Sequence, residues 1–174
     1  RSPGLPFLSS PVQEAVLKVA EVLSQTKLFL KICPCPIIVV TGTKGKGTTA
    51  TLIYEILNAA GKDVYLGGNI GAGVFDLKLR PEAFVILELS SFQLIDLHKS
   101  PHIAVILMVT SEHMNWHKNL EEYVTAKGQM VLHQSDGDFV VANRDYPSSI
   151  KIAKMSDGKI VWVSGNDVNL PTHL

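Results

Sequence analysis

The sequence has no excess of either charge, almost no cysteine and no long apolar run, and each shortage removes a class of function. Its 16 Lys and Arg balance 16 Asp and Glu. No basic cluster stands out, which argues against a nucleic-acid partner, because binding a phosphate backbone needs grouped Lys and Arg. The longest apolar runs, 36–40 and 103–109, fall far short of the roughly 20 residues that a helix needs to cross a bilayer. No secretory leader is visible, so membrane insertion is not expected. The two cysteines, Cys33 and Cys35, cannot complete a four-ligand zinc site. Buried structural thiols are the plain expectation for them, in keeping with a reducing, cytoplasmic compartment.

What is present is apolar residue content. Hydrophobic residues make up 46% of the 174, and mean hydropathy is +0.20. Two arrangements account for this: a parallel sheet covered on both faces, whose strands read as continuous apolar runs, or contact surfaces for further domains. The order of elements favours the first. A helix is expected from Ser10, with Pro11 in its first turn, a Ser10-to-Gln13 capping box, and Val12, Ala15, Val16, Val19 and Leu23 as its apolar face. Pro34 and Pro36 then break the chain. Ile37–Val40 is a β-branched strand, followed by a glycine-rich loop and a helix over 48–60 with Leu52, Ile53, Ile56 and Leu57 on one side. Gly61 stops that helix. Strands are expected at 63–66, 84–89, 103–109, 139–142 and 160–163, and helices at 91–97 and 120–132, the latter capped by Asn119. Strand alternating with helix implies an α/β, doubly wound domain with a mainly parallel sheet. In such folds ligands bind beyond the carboxyl ends of the strands.

The loop Thr41-Gly42-Thr43-Lys44-Gly45-Lys46-Gly47-Thr48-Thr49 lies at such an end. Glycines let the backbone approach phosphate oxygens, the N–H groups and the following helix N-terminus supply positive potential, and Lys46 supplies a point charge. The usual phosphate-loop spacing asks for a leading Gly and a Ser or Thr after the Lys. Here those positions hold Val40 and Gly47. From spacing alone, nucleotide binding and a strand-to-helix turn that needs glycine for its geometry both stay open.

Further segments extend the pattern. Thr41 to Lys46 is followed by Gly67-Gly68-Asn69-Ile70-Gly71, by Leu87-Glu88-Leu89-Ser90-Ser91-Phe92-Gln93-Leu94, and by Val109-Thr110-Ser111-Glu112-His113-Met114. Tyr123-x-x-Ala126-Lys127 and Val141-Ala142-Asn143-Arg144-Asp145 come next, and Ser2-Pro3-Gly4-Leu5-Pro6 precedes them all. In this order the segments resemble the signatures of the Mur ligase superfamily, amide-forming ligases of peptidoglycan precursor synthesis to which folylpolyglutamate synthetase is related. That family's shortened loop, Thr-Gly-Thr-x-Gly-Lys, dispenses with the leading Gly. The Ser-Ser-Phe-Gln form is similar to that of its D-glutamate-adding branch.

The resemblance implies a P-loop-type ATP site and a reaction in which ATP phosphorylates a carboxylate and an amine displaces the phosphate. For the D-glutamate branch the substrates are UDP-N-acetylmuramoyl-L-alanine and D-glutamate, and the cofactors are ATP and Mg2+. It implies that residues 1–35 are the tail of an N-terminal UDP-sugar-binding domain with its linker, that 36–174 are most of a central ATP-binding domain, and that a third, C-terminal domain has no counterpart here. A monomer is expected. ATP would be held by Gly42, Thr43, Lys44, Gly45, Lys46, Gly47, Thr48 and Thr49, with Asn69 at the phosphates and Asn143 towards the nucleoside. Lys46, His113 and Lys127 would be catalytic, and Thr48, Glu88, His113 and a carbamylated Lys127 would serve the metal. Read on their own, Glu88 is equally a salt-bridge partner for Lys46, His113 a structural histidine, Lys127 a solvated helix lysine, and Asn69 and Asn143 turn formers.

Four positions depart from the family pattern: Gly47 in place of a hydroxyl, Glu112 in place of Asp, Asn115 in place of Asp, and Met108 in place of Asn. The Lys46-Gly47-Thr48 run is similar to that of the folate relative, so a folylpolyglutamate synthetase-like ligase is the alternative. A nucleotide-binding fragment without turnover is the third reading.

Overall fold

The computed structural model describes residues 7, 9–18, 21–71, 73–75, 79–110, 117 and 119–166. Six strands among them form one sheet: β1 (Ile37–Thr41), β2 (Val64–Gly68), β3 (Phe84–Glu88), β4 (Ile103–Ile106), β5 (Phe139–Asn143) and β6 (Lys159–Val163). Their spatial order is β2-β3-β1-β4-β5-β6, and every pairing is parallel. The helices are α1 (Ser10–Leu17), α2 (Gln25–Ile32), α3 (Lys46–Ala59), α4 (Ser91–Leu94), α5 (Leu120–Gly128) and α6 (Pro147–Ala153).

The doubly wound expectation holds, with unequal layers. Alternate residues of each strand point to opposite faces. Ile38, Val40, Ile86 and Val105 pack with Ala50 of α3. Val39, Val85, Leu87, Ala104 and Val140 pack with Phe29 and Leu30 of α2, Leu94 of α4, Tyr123 and Val124 of α5, and Ile152 of α6. One helix therefore covers one face, and four cover the other. β1 lies between β3 and β4, where successive crossovers leave in opposite directions, so the crevice for a ligand opens at the carboxyl end of β1.

Several local expectations shift. The N-cap of α1 is Ser9 rather than Ser10, and Gln13 Nε2 donates to Phe7 O at 2.8 Å instead of closing a capping box at Ser10. That helix ends at Leu17, so its expected apolar face does not continue to Leu23, and Val19 lies outside the described residues. A second helix, α2, starts after Ser24, whose hydroxyl accepts from Lys27 N. On α3, Ala50 is buried, with Ile53, Tyr54 and Leu57 packed beside it. Leu52 and Ile56 are 55% and 66% exposed, because the 3.6-residue period carries them off the buried stripe onto the flank. β4 stops at Ile106 because the next residues turn to serve the loop, and α5 closes at Gly128 through tighter bonds, Met130 N to Lys127 O and Val131 N to Gly128 O. Both cysteines are buried free thiols. Cys35 Sγ donates to Arg80 O at 3.0 Å. Its pKa is pushed up to about 11, chiefly by burial and then by the neighbouring Cys33.

Candidate phosphate-loop site

β1 delivers the loop into the crevice, and Gly45 turns it into α3. Gly45 is the N-cap of α3 with φ 83°, a left-handed conformation that favours glycine. Lys46 is consequently the first helical residue, two positions earlier than expected. By helix geometry the N–H groups of Lys46, Gly47 and Thr48 have no carbonyl one turn back. With the helix dipole they form an anion-binding N-terminus at the mouth of the crevice. Lys44 and Thr48 are exposed there, whereas Gly47 and Thr49 are half-buried. A methyl at Gly47 would meet Ile70 at an ordinary 3.9 Å, so packing does not demand glycine at that position.

The floor of the loop is stitched to the end of β4. Thr43 N donates to Met108 O at 2.6 Å and Leu107 N to Thr41 O at 3.0 Å. The Thr43 hydroxyl accepts from Thr110 N at 3.0 Å. The N–H and the hydroxyl of Thr43 are thus engaged within the protein, and Thr43 shapes the loop from below.

Two lysines hold the loop from opposite faces of the sheet. Lys46 Nζ, from α3, donates to Thr43 O at 3.0 Å. Lys127 Nζ, from α5, donates to Thr41 Oγ1 at 3.1 Å and to Gly42 O at 3.2 Å. Lys127 is 1% exposed, and its ammonium lies 4.6 Å from the centroid of the Tyr123 ring, a cation–π distance. This burial rules out the solvated helix lysine. Thr41 Oγ1 in turn donates to Leu89 O at 2.9 Å, linking loop, β3 and α5.

Glu88 ends β3 beside Val40 of β1 and Gly68 of β2, and is buried. Its Oε1 accepts from Asn69 Nδ2 at 3.4 Å, and its backbone oxygen accepts from Asn69 N at 2.9 Å. Gly68, at φ 101°, makes this approach possible, since a Cβ there would sit 2.2 Å from Glu88 O. Lys46 bonds the loop carbonyl, so the described contacts of Glu88 are with Asn69 rather than with an ammonium. A buried carboxylate at a strand end of the crevice, hydrogen-bonded by the Asn69 amide, has the chemistry that suits a hard oxygen-seeking cation. Among the described residues, no three His, Cys, Asp or Glu side chains form a metal group by themselves.

The remaining expected residues divide. Asn143 ends β5, two strands from β1. Its Oδ1 accepts from Asp145 N at 2.8 Å, the bond of a turn former. His113, Glu112 and Asn115 lie outside the described residues, as does Ser2–Pro6.

The sequence marks Tyr123 only as the start of the segment that ends at Lys127 and gives His117 no role, yet both belong to this site. Tyr123 Oη lies 3.4 Å from Thr43 Oγ1. His117 Nε2 lies 2.9 Å from Ser91 Oγ. Both contacts span dozens of residues, and no local pattern announces them.

Known proteins agree with this architecture. The UDP-N-acetylmuramoylalanine--D-glutamate ligase of Symbiobacterium thermophilum is 42% identical over 165 residues, 94% of this chain and 36% of that protein. The enzyme of the same name from Acetivibrio thermocellus is 38% identical over 97% of this chain. The chain thus spans little more than a third of the length of the curated relatives it matches. Among solved structures, the MurF ligase of Thermotoga maritima in complex with ADP shares the fold with a TM-score of 0.64 at 21% identity, over 83% of this chain and 38% of that one. Residues 40–170 match the family described as Mur ligase middle domain, and the chain belongs to the Mur ligase family.

Proposed function

We propose that this chain is the ATP-binding part of a ligase that joins D-glutamate to UDP-N-acetylmuramoyl-L-alanine in the cytoplasm. The observation that carries this reading is the pairing of an anion-binding helix start at Lys46 with the buried carboxylate of Glu88 across one crevice. Phosphate oxygens and a cation need those two charges side by side. The D-glutamate substrate rests on the names of the relatives at 42% and 38% identity.

In this reading the N–H groups of Lys46, Gly47 and Thr48 bind the ATP phosphates. Lys46 leaves the Thr43 carbonyl to meet the outer phosphate. Glu88, Thr48 and His113 would hold Mg2+, joined by Lys127 if it is carbamylated. The cation would neutralise charge on the phosphates during transfer. Asn69 orients the Glu88 carboxylate and reaches the phosphates, and Asn143 borders the nucleoside. Phosphorylation places the γ-phosphoryl group on the substrate carboxylate and releases ADP; the amine of D-glutamate then expels phosphate as the amide forms. Residues 1–35 are assigned to the end of the UDP-sugar-binding domain and its linker, and 36–174 to the ATP-binding domain, acting in a monomer.

Calorimetric titration of the chain with Mg-ATP is expected to show saturable binding that needs the cation, and Glu88→Gln is expected to raise the Mg2+ concentration that binding needs while leaving the fold intact. Absence of any ATP affinity would sink the binding claim. A second reading, a folate-type ligase, draws on Gly47, which is not required by packing. In a full-length protein carrying this chain, phosphate release that requires the muramoyl substrate and D-glutamate supports the first reading. Release dependent on a folate and L-glutamate would replace it.

A further inference from the structure

Outside the phosphate loop, the molecule holds a second polar constellation that the proposed reaction leaves unused. Ser91 Oγ and His117 Nε2 are 2.9 Å apart, and His117 Nδ1 lies 3.5 Å from Glu122 Oε1. A Ser, a His and a carboxylate in this sequence of contacts have the makeup of a nucleophilic triad. Burial rejects that use, because Ser91 is 1% and His117 3% exposed. The Phe92 ring stacks on the imidazole at 5.7 Å with planes 9° apart, and the Tyr123 ring meets it edge-on at 5.2 Å. No acyl group reaches a hydroxyl enclosed in this way.

The constellation joins two helices. Ser91 and Phe92 belong to α4, and Glu122 and Tyr123 to α5. His117 sits between them, with Nε2 2.9 Å from the Ser91 hydroxyl and Nδ1 3.5 Å from a Glu122 carboxylate oxygen. Ser90 and Gln93 flank the pair with a cap of their own, Ser90 N and Ser90 Oγ both donating to Gln93 Oε1 at 3.0 Å. Beyond His117 the contacts lead to the loop. Tyr123 edges the imidazole, presents its hydroxyl to Thr43 and its face to the Lys127 ammonium, and Lys127 grips Thr41 and Gly42.

We propose that His117 is a positioning residue: by bolting α5 to α4 through Ser91 and Glu122, it sets the places of Tyr123 and Lys127 beneath the phosphate loop. With Nδ1 towards the Glu122 carboxylate, Nε2 is the ring nitrogen that meets the Ser91 hydroxyl. The consequence for nucleotide affinity rests on the ATP-binding reading above; the consequence for the loop does not.

The experiment compares the chain with His117→Phe, which keeps the stacked ring and removes both nitrogens, and with His117→Gln, whose amide can again accept from Ser91. Amide hydrogen exchange is followed at Thr43 and along 123–127, with Val39 and Leu87 of the central strands as reference. His117→Phe is expected to speed exchange at Thr43 and 123–127 by about tenfold, the scale of one lost buried hydrogen bond, without change at Val39 and Leu87. His117→Gln is expected to return the rates to within about threefold of the native chain. A parallel Mg-ATP titration is expected to show affinity lowered about tenfold in His117→Phe and restored in His117→Gln. Unchanged exchange at Thr43 and 123–127 overturns the proposal, as does uniform acceleration including the central strands, which marks a merely structural role. Where His117→Phe does not fold, Ser91→Ala is read by the same localised pattern and the same overturning results. If the native chain shows no ATP affinity, the functional reading fails while the exchange data still decide the role of His117.

Discussion

Lys46 and Lys127 make the same kind of contact in different surroundings. Each donates to a carbonyl of the loop, Lys46 to Thr43 and Lys127 to Gly42, one from α3 and one from α5 across the sheet. Lys46 is half-exposed at a helix start and donates to one loop carbonyl, that of Thr43. Lys127 is enclosed, bonded to two oxygens and backed by an aromatic face. A lysine held by one bond at the surface can exchange it for a phosphate at little cost. A buried ammonium that gives up its acceptors incurs a desolvation penalty unless something replaces them. The first is suited to moving onto a ligand, and the second to keeping the loop in shape.

The sharpest way to break this contrast is Lys46→Ala. Its Mg-ATP affinity is expected to fall at least about a hundredfold, the loss of a charge-assisted contact in a water-poor site, while its melting temperature stays within about 2 °C of the native value. Titration calorimetry and thermal unfolding read the two halves, and a large loss of stability would erase the distinction. Thr41→Val probes the other lysine. It removes one acceptor of Lys127 and the donor to Leu89 O, and is expected to destabilise the chain by about 2 kcal/mol in urea unfolding. A change below about 0.5 kcal/mol would mean that Lys127 is not bound to its oxygens in solution.

Cys35 sharpens the same contrast through pH, because it belongs to the core on the Lys127 side of the sheet. Its raised pKa means that the folded chain holds the thiol proton more tightly than the unfolded chain. The stabilisation is complete below pH about 9 and is lost as pH rises through about 11. Urea midpoints of the native chain should therefore fall more steeply than those of Cys35→Ala between those pH values; parallel curves would show that burial there does not oppose charge. The smallest effect is expected at an exposed tie far from the loop. Asp145 accepts from Ser164 Oγ and from Gly165 N, and these bonds hold its pKa below the usual carboxylate value. Asp145→Asn should leave Mg-ATP affinity unchanged and shift unfolding midpoints only slightly, which a loss of nucleotide binding would contradict.

The legible part of the fold was the part encoded locally. β1 announces itself by four β-branched residues and α3 by the glycines before it, and Asn119 caps α5 as its position suggests, with Oδ1 accepting from Glu122 N. Elements without a strong local period were missed. α2 has Lys27 and Lys31 interleaved with Phe29 and Leu30, and α6 has only seven residues, Pro147 included. The site divides the same way. Gly45, Lys46 and Glu88 were readable from loop and strand context. The burial of Lys127 was not, because its partners lie 85 and 86 residues away. The Ser-Ser-Phe-Gln segment stands out in the sequence as a signature, but its physical content, a cap made by Ser90 and Gln93 around two residues aimed at His117, needs the folded chain.

The strand order has a consequence for the timing of synthesis. β1 is made first among the strands, yet both its neighbours come later: β3 ends at Glu88 and β4 at Ile106. As the chain leaves the ribosome, the phosphate loop emerges with no sheet to dock into and waits for β3 and β4 to follow. Its floor is completed only when Lys127 arrives. Such late closure of distant contacts slows folding and leaves an apolar strand uncovered meanwhile. The nascent segment 37–41 is therefore where a chaperone has most to shield, and nucleotide cannot assist folding until α5 has been made.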